Sequence, residues 1–490
     1  MKNKQLKIGA LLSYLSIGIN ILSGLIYTPW MVRQIGQAQY GLYTLATSVI
    51  ALFMVDFGLS SATARYVSKL HAEGDETGVN NFLGVIYKLY IAIDAVIFVA
   101  LTVMYFLLDK IYVRLTPQEL EQFRVVYLIV AMYSLVNFPF VTLNGILTGY
   151  EKFIHLKLAD VIHRVLIIVL MVIALAAGFG LYALVTVNAV AGLLTIAYKL
   201  IVIRKKTPVA VNFRYSEKSL YKEIFSFSVW STVAALAQRL IFNVTPSILG
   251  IVAGTADIAV FGVIMVIESY AYIITNAING MFMPRIAKIY SGENPEQKIE
   301  ALMLKVGRFQ YAVNGLIVAG FAVVGREFIL LWMGPDYLTA YTGILLVIIP
   351  GLFFSSLQIG HTAVLVTNNV HLYALINVVV GIVNIIFSPV LASFFGVVGA
   401  CMSIFIAYII RAVLLNLLYN YKLGIDMKTF AVNCYIKMSF PVVVSIILGL
   451  LICRFLPWSE WLGFVCKACF VGAVYMVVLM LVGLERKNRK

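Results

Sequence analysis

About fourteen apolar stretches of helix length, separated by short polar breaks, take up almost all of this 490-residue chain. A bilayer core about 30 Å thick needs about 20 residues of helix to cross it. Inside that core each backbone N–H and C=O must be satisfied within its own helix or a closed barrel. Barrel strands are about half as long and alternate polar with apolar residues, which these stretches do not. The pattern predicts an all-α polytopic membrane protein and places its function in the residues that break the apolar rule.

Composition narrows the class further. Hydrophobic residues make up 62% of the chain and charged residues 12%, against about 25% charged in soluble domains. The net charge of +15 is carried by short loops between apolar spans, where the positive-inside rule explains it and no nucleic-acid partner is implied. Lys2, Lys4 and Lys7 precede an apolar run that continues to Trp30 with no small-residue cleavage site, which predicts a retained first helix. Cys466 and Cys469 are spaced as a redox pair, but they lie within the last apolar span with no zinc partner nearby. They read as small apolar helix residues, and no metal site is expected.

The spans start near residues 8, 40, 84, 123, 159, 180, 221, 256, 304, 339, 372, 395, 434 and 460. An even number puts both termini on one side. That side collects Arg65 and Lys69, Lys152 and Arg164, the run Arg204–Lys206 with Arg214 and Lys218, then Arg285 and Lys288, and Lys422 and Lys428. The other side has only Arg33, Lys110, Arg114, Arg124, Arg326 and Arg454, so both termini are expected in the cytoplasm. Trp30, Trp332, Trp458 and Trp461 then fall at the outer interface as an aromatic belt.

The spans also repeat. Gln37-Ala-Gln-Tyr-Gly-Leu-Tyr43 followed by Ala64-Arg-Tyr-Val-Ser-Lys69 has a counterpart in Thr255-Ala-Asp-Ile-Ala-Val-Phe261 followed by Pro284-Arg-Ile-Ala-Lys288. The turn Gly180-Leu-Tyr-Ala-Leu is matched by Gly396-Val-Val-Gly-Ala. The offset of about 216–220 residues implies two six-span lobes in parallel repeat about an axis along the membrane normal. The expected division is an N-lobe at 1–203, a basic cytoplasmic linker at 204–220, a C-lobe at 221–418, and two accessory helices with a basic tail at 419–490.

The turn at residues 36–43 (Gly-Gln-Ala-Gln-Tyr-Gly-Leu-Tyr), then Asp56-Phe-Gly-Leu-Ser-Ser-Ala-Thr-Ala-Arg65 leading into a short basic loop, resembles the polysaccharide-flippase branch of the multidrug/oligosaccharidyl-lipid/polysaccharide exporter superfamily. The resemblance extends over the whole chain in length, span count and repeat, and is sharpest over residues 36–70. It implies a V-shaped two-lobe exporter in a bacterial inner membrane. Such a protein moves undecaprenyl-diphosphate-linked oligosaccharide from the inner to the outer leaflet by alternating access through a hydrated, often cationic cavity. Implied partners are the polyprenyl-linked cargo, membrane lipids, and polysaccharide polymerase and chain-length proteins. No cofactor is implied beyond coupling to H⁺ or Na⁺.

A charge near a helix centre costs about 2.5–3.5 kcal/mol on insertion scales, so the buried ones are the site candidates. Arg239 lies well inside span seven, with Ser231 and Asn243 on the same helical face and Pro246 beyond them. Its planar fork suits two-pronged recognition of diphosphate oxygens; a structural pairing with Glu268 is the alternative. Glu268 leads a polar stripe through Tyr272, Asn276 and Asn279. Asp94 lies about 15 Å along span three at 1.5 Å per residue. Either carboxylate is a candidate for ion coupling or for simple pairing. Asp56 is expected to pair with a loop cation such as Arg65. Ser13, Ser16, Asn20, Ser23 and Tyr27 form one stripe up span one, suited to lining a cavity or to tight packing. Arg65, Arg164 (beside Asp160 and His163) and Arg411 are read either as a cationic funnel or as ordinary positive-inside charges. Arg33, on the opposite side, is a candidate exit-site cation. His361 reads as a satisfied polar residue or a pH sensor, and Lys467 is expected only to snorkel to the outer edge.

No phosphate loop, His-Glu-x-x-His or zinc-spaced cluster occurs, so a transporter is expected and not an enzyme. A glycan polymerase would need a large outer loop, which the spacing leaves no room for. Rival cargoes within the superfamily are lipid II and drugs moved by a cation-coupled multidrug exporter. The topology is tested with cysteines placed singly at Gln118, Asp336 and Lys206. The first two are expected to react with an impermeant thiol reagent in intact cells and the third to stay unlabelled; labelling at Lys206 overturns the orientation.

Overall fold

The computed structural model describes residues 18, 21–276, 282–367, 369–454 and 460–487. It is all-helical, with no strand among the described residues. In chain order the main helices are α1 (21–35), α2 (Gln37–Phe53), α3 (Leu59–Ala72), α4 (Glu76–Ile111), α5 (Pro117–Asn137), α6 (Thr142–Gly149), α7 (Phe153–Ala176) and α8 (Leu181–Lys206). They continue as α9 (Lys218–Phe242), α10 (Thr245–Val252), α11 (Thr255–Asn276), α12 (Met283–Tyr290) and α13 (Pro295–Trp332). The last are α14 (Thr339–Ser356), α15 (Gln358–Val366), α16 (Val370–Leu423), α17 (Met427–Phe430), α18 (Lys437–Cys453) and α19 (Trp461–Lys487).

Among the described residues, eleven helices are long and apolar enough to cross a membrane. One of these, α16, is 54 residues long, or about 80 Å as a continuous helix, far more than a bilayer core. Its backbone leaves helical geometry at Gly396 (φ 56°, ψ −137°). The chain doubles back so closely that a Cβ on Gly399 would lie 2.0 Å from the Leu391 carbonyl oxygen. It is therefore two helices joined by the glycine turn expected at Gly396-Val-Val-Gly. Adding α1 and the broken α2–α3 pass brings the total to about fourteen passes. The outward surface is apolar: Phe106 is 73% exposed and Phe394 77%. Such a surface suits lipid and not water, so the protein is a multi-pass membrane protein.

The contacts divide the chain into two compact units, Met1–Ala259 and Val260–Lys490. In the first, α3 packs on α6 through glycines. A Cβ on Gly145 would meet the Ser60 carbonyl oxygen at 2.6 Å, and one on Gly149 would meet Val67 at 2.6 Å, the small-residue packing that membrane helices favour. The segment after α8 does not hang free. Asn212 N–H donates to the Asn80 carbonyl (3.0 Å), Ala210 N–H to Asn80 Oδ1 (2.8 Å), and Lys88 Nζ to the Tyr215 carbonyl (2.9 Å). This basic connector is strapped onto the start of α4, and Gly84 makes room for it, since a Cβ there would lie 1.9 Å from the Asn212 carbonyl oxygen.

In the second unit, α18 and α19 pack along α13. Tyr475 donates to the Ala312 carbonyl (2.8 Å), and Phe464 meets Phe328. Lys467 corrects the snorkelling expectation. It is 8% exposed and donates to Glu327 Oε2 of α13 at 2.9 Å. With a carboxylate on the facing helix, the ammonium keeps its charge inside the packing and does not stretch toward water. Removing one partner of a buried pair leaves the other uncompensated, at about 3–5 kcal/mol. Lys467→Met is therefore expected to lower the melting temperature of the purified protein clearly, and Lys467→Met with Glu327→Gln to restore most of it. An unchanged melting temperature in the single variant contradicts a stabilising pair.

Candidate functional site

The second pass of the first unit is broken where the Asp-Phe-Gly motif falls. Helix α2 stops at Phe53 and α3 begins at Leu59. Between them Phe57 (φ 52°) and Gly58 (φ 69°) are both left-handed. Glycine adopts that conformation freely, whereas a phenylalanine there costs on the order of 1–3 kcal/mol and persists only when its surroundings hold it. Asp56 is what holds it. Its carboxylate accepts the Ser60 N–H (3.2 Å) and the Tyr90 hydroxyl of α4, and its carbonyl accepts the Leu59 N–H (3.0 Å). This corrects the expected pairing with a loop cation such as Arg65: a hydroxyl and an amide reach the carboxylate, so no cation is needed.

The α2 side of the break is held differently. The last carbonyls of a helix lose their partners when it ends. Met54 N–H still reaches the Ile50 carbonyl (3.2 Å), but Val55 N–H turns to the Phe53 carbonyl (2.9 Å), which leaves the Ala51 carbonyl to be satisfied from outside. Arg239 of α9 does this, with Nη1 donating to it.

Beside this break lies a cavity of about 420 Å³ whose lining includes Arg239, Asp56, Tyr43, Tyr133, Asn137 and Asn188. Each side chain is positioned by local structure. Asn137 ends α5, just before a 3-10 turn at Phe138–Val141 that contains Pro139. Tyr133 reaches the cavity because α8 carries Gly192 opposite it, where a Cβ would lie 1.8 Å from the phenol oxygen. Asn188 of α8 is oriented by donating to the Leu184 carbonyl (2.6 Å). The cavity therefore combines one guanidinium and one carboxylate with tyrosine rings and neutral amides. It can offer N–H donors to an anion, ring faces to apolar C–H edges, and amides to hydroxyls.

Of the candidate residues, the structure brings Arg239 and Asp56 into this one cavity. Asn243 is the residue after α9, its N–H donating to the Arg239 carbonyl (2.9 Å), and is not among the lining residues. Pro246 then lies in the first turn of α10. Arg33 and Arg65 are exposed on α1 and α3. Arg164, half-buried on α7, is within electrostatic reach of Tyr27 and Tyr43, while Asp160 pairs with Lys157 (3.3 Å) and His163 meets Thr195 (3.2 Å). Asp94 sits on α4 apart from the cavity, with its Oδ1 buried and without a hydrogen-bond partner. Ser13, Ser16, Asn20, Asn279 and Trp458 lie outside the described residues, as do the side chains of Ser231 and Asn276.

In the second unit Glu268 is half-buried on α11, with the exposed Tyr272 one turn along. Arg411 is not an inner-end funnel cation. It is 1% exposed, sits 4.1 Å over the face of Phe354, and donates through Nη2 to the Tyr373 hydroxyl (2.8 Å). Aromatic faces from α14 and α16 take up the guanidinium by cation–π attraction, which keeps it in the packing. His361 lies against Tyr373, the two rings tilted with centroids 4.2 Å apart. Among the described residues no group of three or more metal-ligating side chains occurs.

Sequence reasoning missed Tyr43, Tyr133, Asn137 and Asn188 because it followed charges. Tyr43 was legible as the last residue of the 36–43 motif, and Asn137 as an amide two residues before a proline within an apolar span. Tyr133 and Asn188 sit among apolar neighbours and give no signal of their own.

A family model described as polysaccharide biosynthesis protein matches residues 6–290. No curated protein matches the chain. Among solved structures, the chain is similar to the lipid II flippase MurJ in an inward-closed conformation, at 13% identity over 96% of this chain and 98% of that one, with a TM-score of 0.73. It is also similar to an inward-facing multidrug resistance MATE family transporter of the MOP superfamily, at 15% identity over 88% and 99%, with a TM-score of 0.71. A MOP superfamily transporter from Pyrococcus furiosus matches at 15% identity over 87% and 96%, with a TM-score of 0.59. With a fold shared with these transporters along nearly its whole length and the family model over more than half of it, the chain belongs to the polysaccharide biosynthesis protein family.

Proposed function

We propose that this protein is a flippase for undecaprenyl-diphosphate-linked oligosaccharide, carrying the saccharide across a bacterial inner membrane by alternating access with both termini in the cytoplasm. The observation that carries this reading is the cavity at the α2–α3 break. Its volume of about 420 Å³ lies within the roughly 300–1,000 Å³ of ligand sites. Its chemistry of tyrosine rings, amides and one guanidinium suits a sugar attached to a phosphate better than it suits a lipophilic cation. A drug cation would meet Arg239 as a like charge. Lipid II, the substrate in the printed name of MurJ, is also a saccharide on a polyprenyl diphosphate and is the rival cargo. Glu268 and Asp94 are the carboxylates proposed for coupling to H⁺ or Na⁺; neither lines this cavity.

The test uses the purified protein in proteoliposomes loaded with a fluorescent lipid-linked oligosaccharide whose outer-leaflet fraction is read with an impermeant quencher. Transport is expected for the oligosaccharide and not for a drug cation. Asn188→Leu and Tyr133→Ala, which strip the cavity of an amide and a ring, are each expected to slow transport at least tenfold with the protein still folded. Transport of lipid II in preference to the oligosaccharide, or rescue of a peptidoglycan-flippase depletion strain, would establish the rival cargo. Unchanged transport in both variants removes the cavity from the pathway.

A further inference from the structure

The two sides of the α2–α3 break are anchored by different chemistry. On the α3 side the anchor is Asp56, an anion already bonded to the Tyr90 hydroxyl and the Ser60 N–H. An arriving anion has nothing to offer there. On the α2 side the anchor is a cation, Arg239, bonded to a neutral carbonyl, that of Ala51. Arg239 also lines the cavity, and within this unit no described carboxylate forms an ion pair with it. Hydrogen bonds from a guanidinium to phosphate oxygens are shorter and roughly twice as strong as those between neutral groups, and a phosphate can accept two at once. A diphosphate in the cavity thus competes for the one group that holds the end of α2. Once it wins, the carbonyl of Ala51, a residue that also lines the cavity, loses that partner, and the end of α2 loses its tie to α9.

We propose that Arg239 is an anion-exchangeable latch. Its bond to the Ala51 carbonyl holds the α2–α3 break in the geometry described above, and a diphosphate entering the cavity takes the guanidinium and lets the break change its bend. Arg239 is then a positioning residue as well as a ligand for the phosphate, and cargo occupancy is converted into motion at a defined point in the chain. This deepens the flippase reading and rests on it for the nature of the anion.

The experiment uses the full-length protein in lipid nanodiscs, with Cys453, Cys466 and Cys469 changed to Ser. Spin labels at the exposed positions Ala38 and Ser68 straddle the break, and their distance distribution is read with and without inorganic pyrophosphate. Pyrophosphate binding is measured on the same samples. The wild-type distribution is expected to shift when pyrophosphate binds. Arg239→Ala is expected to show the shifted distribution without pyrophosphate and not to respond to it. Arg239→Lys keeps a donor and a charge but loses the fork, so it should start unshifted and need at least tenfold more pyrophosphate. Arg239→Gln covers the case in which the alanine variant fails to fold: it carries no charge to hold a phosphate, so its distance distribution should not respond to pyrophosphate at any concentration. The latch is overturned if folded Arg239→Ala matches unliganded wild type, if Arg239→Gln shifts with pyrophosphate, or if the wild type fails to bind pyrophosphate or binds it with no change in distance. Failure of the cargo assay with these distances behaving as expected would overturn the flippase reading and leave the latch standing.

Discussion

In hydrocarbon there is no water to satisfy a broken backbone hydrogen bond, so every interruption of a membrane helix must be answered by another part of the protein. The site in this chain is built around one such interruption. When α2 ends at Phe53, the Ala51 carbonyl is bonded from α9 by Arg239, while Asp56 ties the other side to Tyr90 of α4. Two side chains from two other helices thus converge where the α2–α3 pass unwinds. The cavity lies beside that convergence, and its charged lining groups are Arg239 and Asp56.

Four of the charges within membrane-spanning helices meet one problem in four ways. Lys467 pairs with Glu327 across two packed helices. Arg411 is enclosed by aromatic rings with a single tyrosine hydroxyl as acceptor. Asp56 is neutralised by no cation and is held by a hydroxyl and a backbone amide. Arg239 has a backbone carbonyl and an open cavity. In the first two the cation is enclosed by protein, Lys467 at 8% exposed and Arg411 at 1%. Of the four, Arg239 is the cation that lines the cavity beside the break, and that is why the functional reading rests on it and not on the more deeply buried Arg411.

Glycines set the fine geometry. Gly192 lets the Tyr133 phenol reach the cavity, Gly84 admits the strapped connector onto α4, and Gly396 with Gly399 folds a long apolar run into two helices. At Gly192 and Gly84 a methyl group would collide with atoms from a distant part of the chain, and at Gly399 with the Leu391 carbonyl just before the turn. The cost of a glycine in a helix is about 1 kcal/mol, and it is offset by a close approach that no larger residue allows.

The order of residues was enough to make this chain an all-helical membrane protein with about fourteen passes, because only helices of that length satisfy their backbone in lipid. It also located the Asp56-Phe-Gly stretch and singled out Arg239, since a charge inside an apolar span is costly enough to be conspicuous. Tertiary structure alone decided the partners. Nothing in the order of residues places Arg239 on the Ala51 carbonyl, Lys467 on Glu327, or Arg411 between Phe354 and Tyr373, because those pairings join residues far apart in the chain. The neutral half of the cavity was equally hidden. An Asn188 or a Tyr133 in an apolar span is cheap to bury when it has a partner, so its composition signal is small. Its role comes from what the packing of neighbouring helices sets across from it.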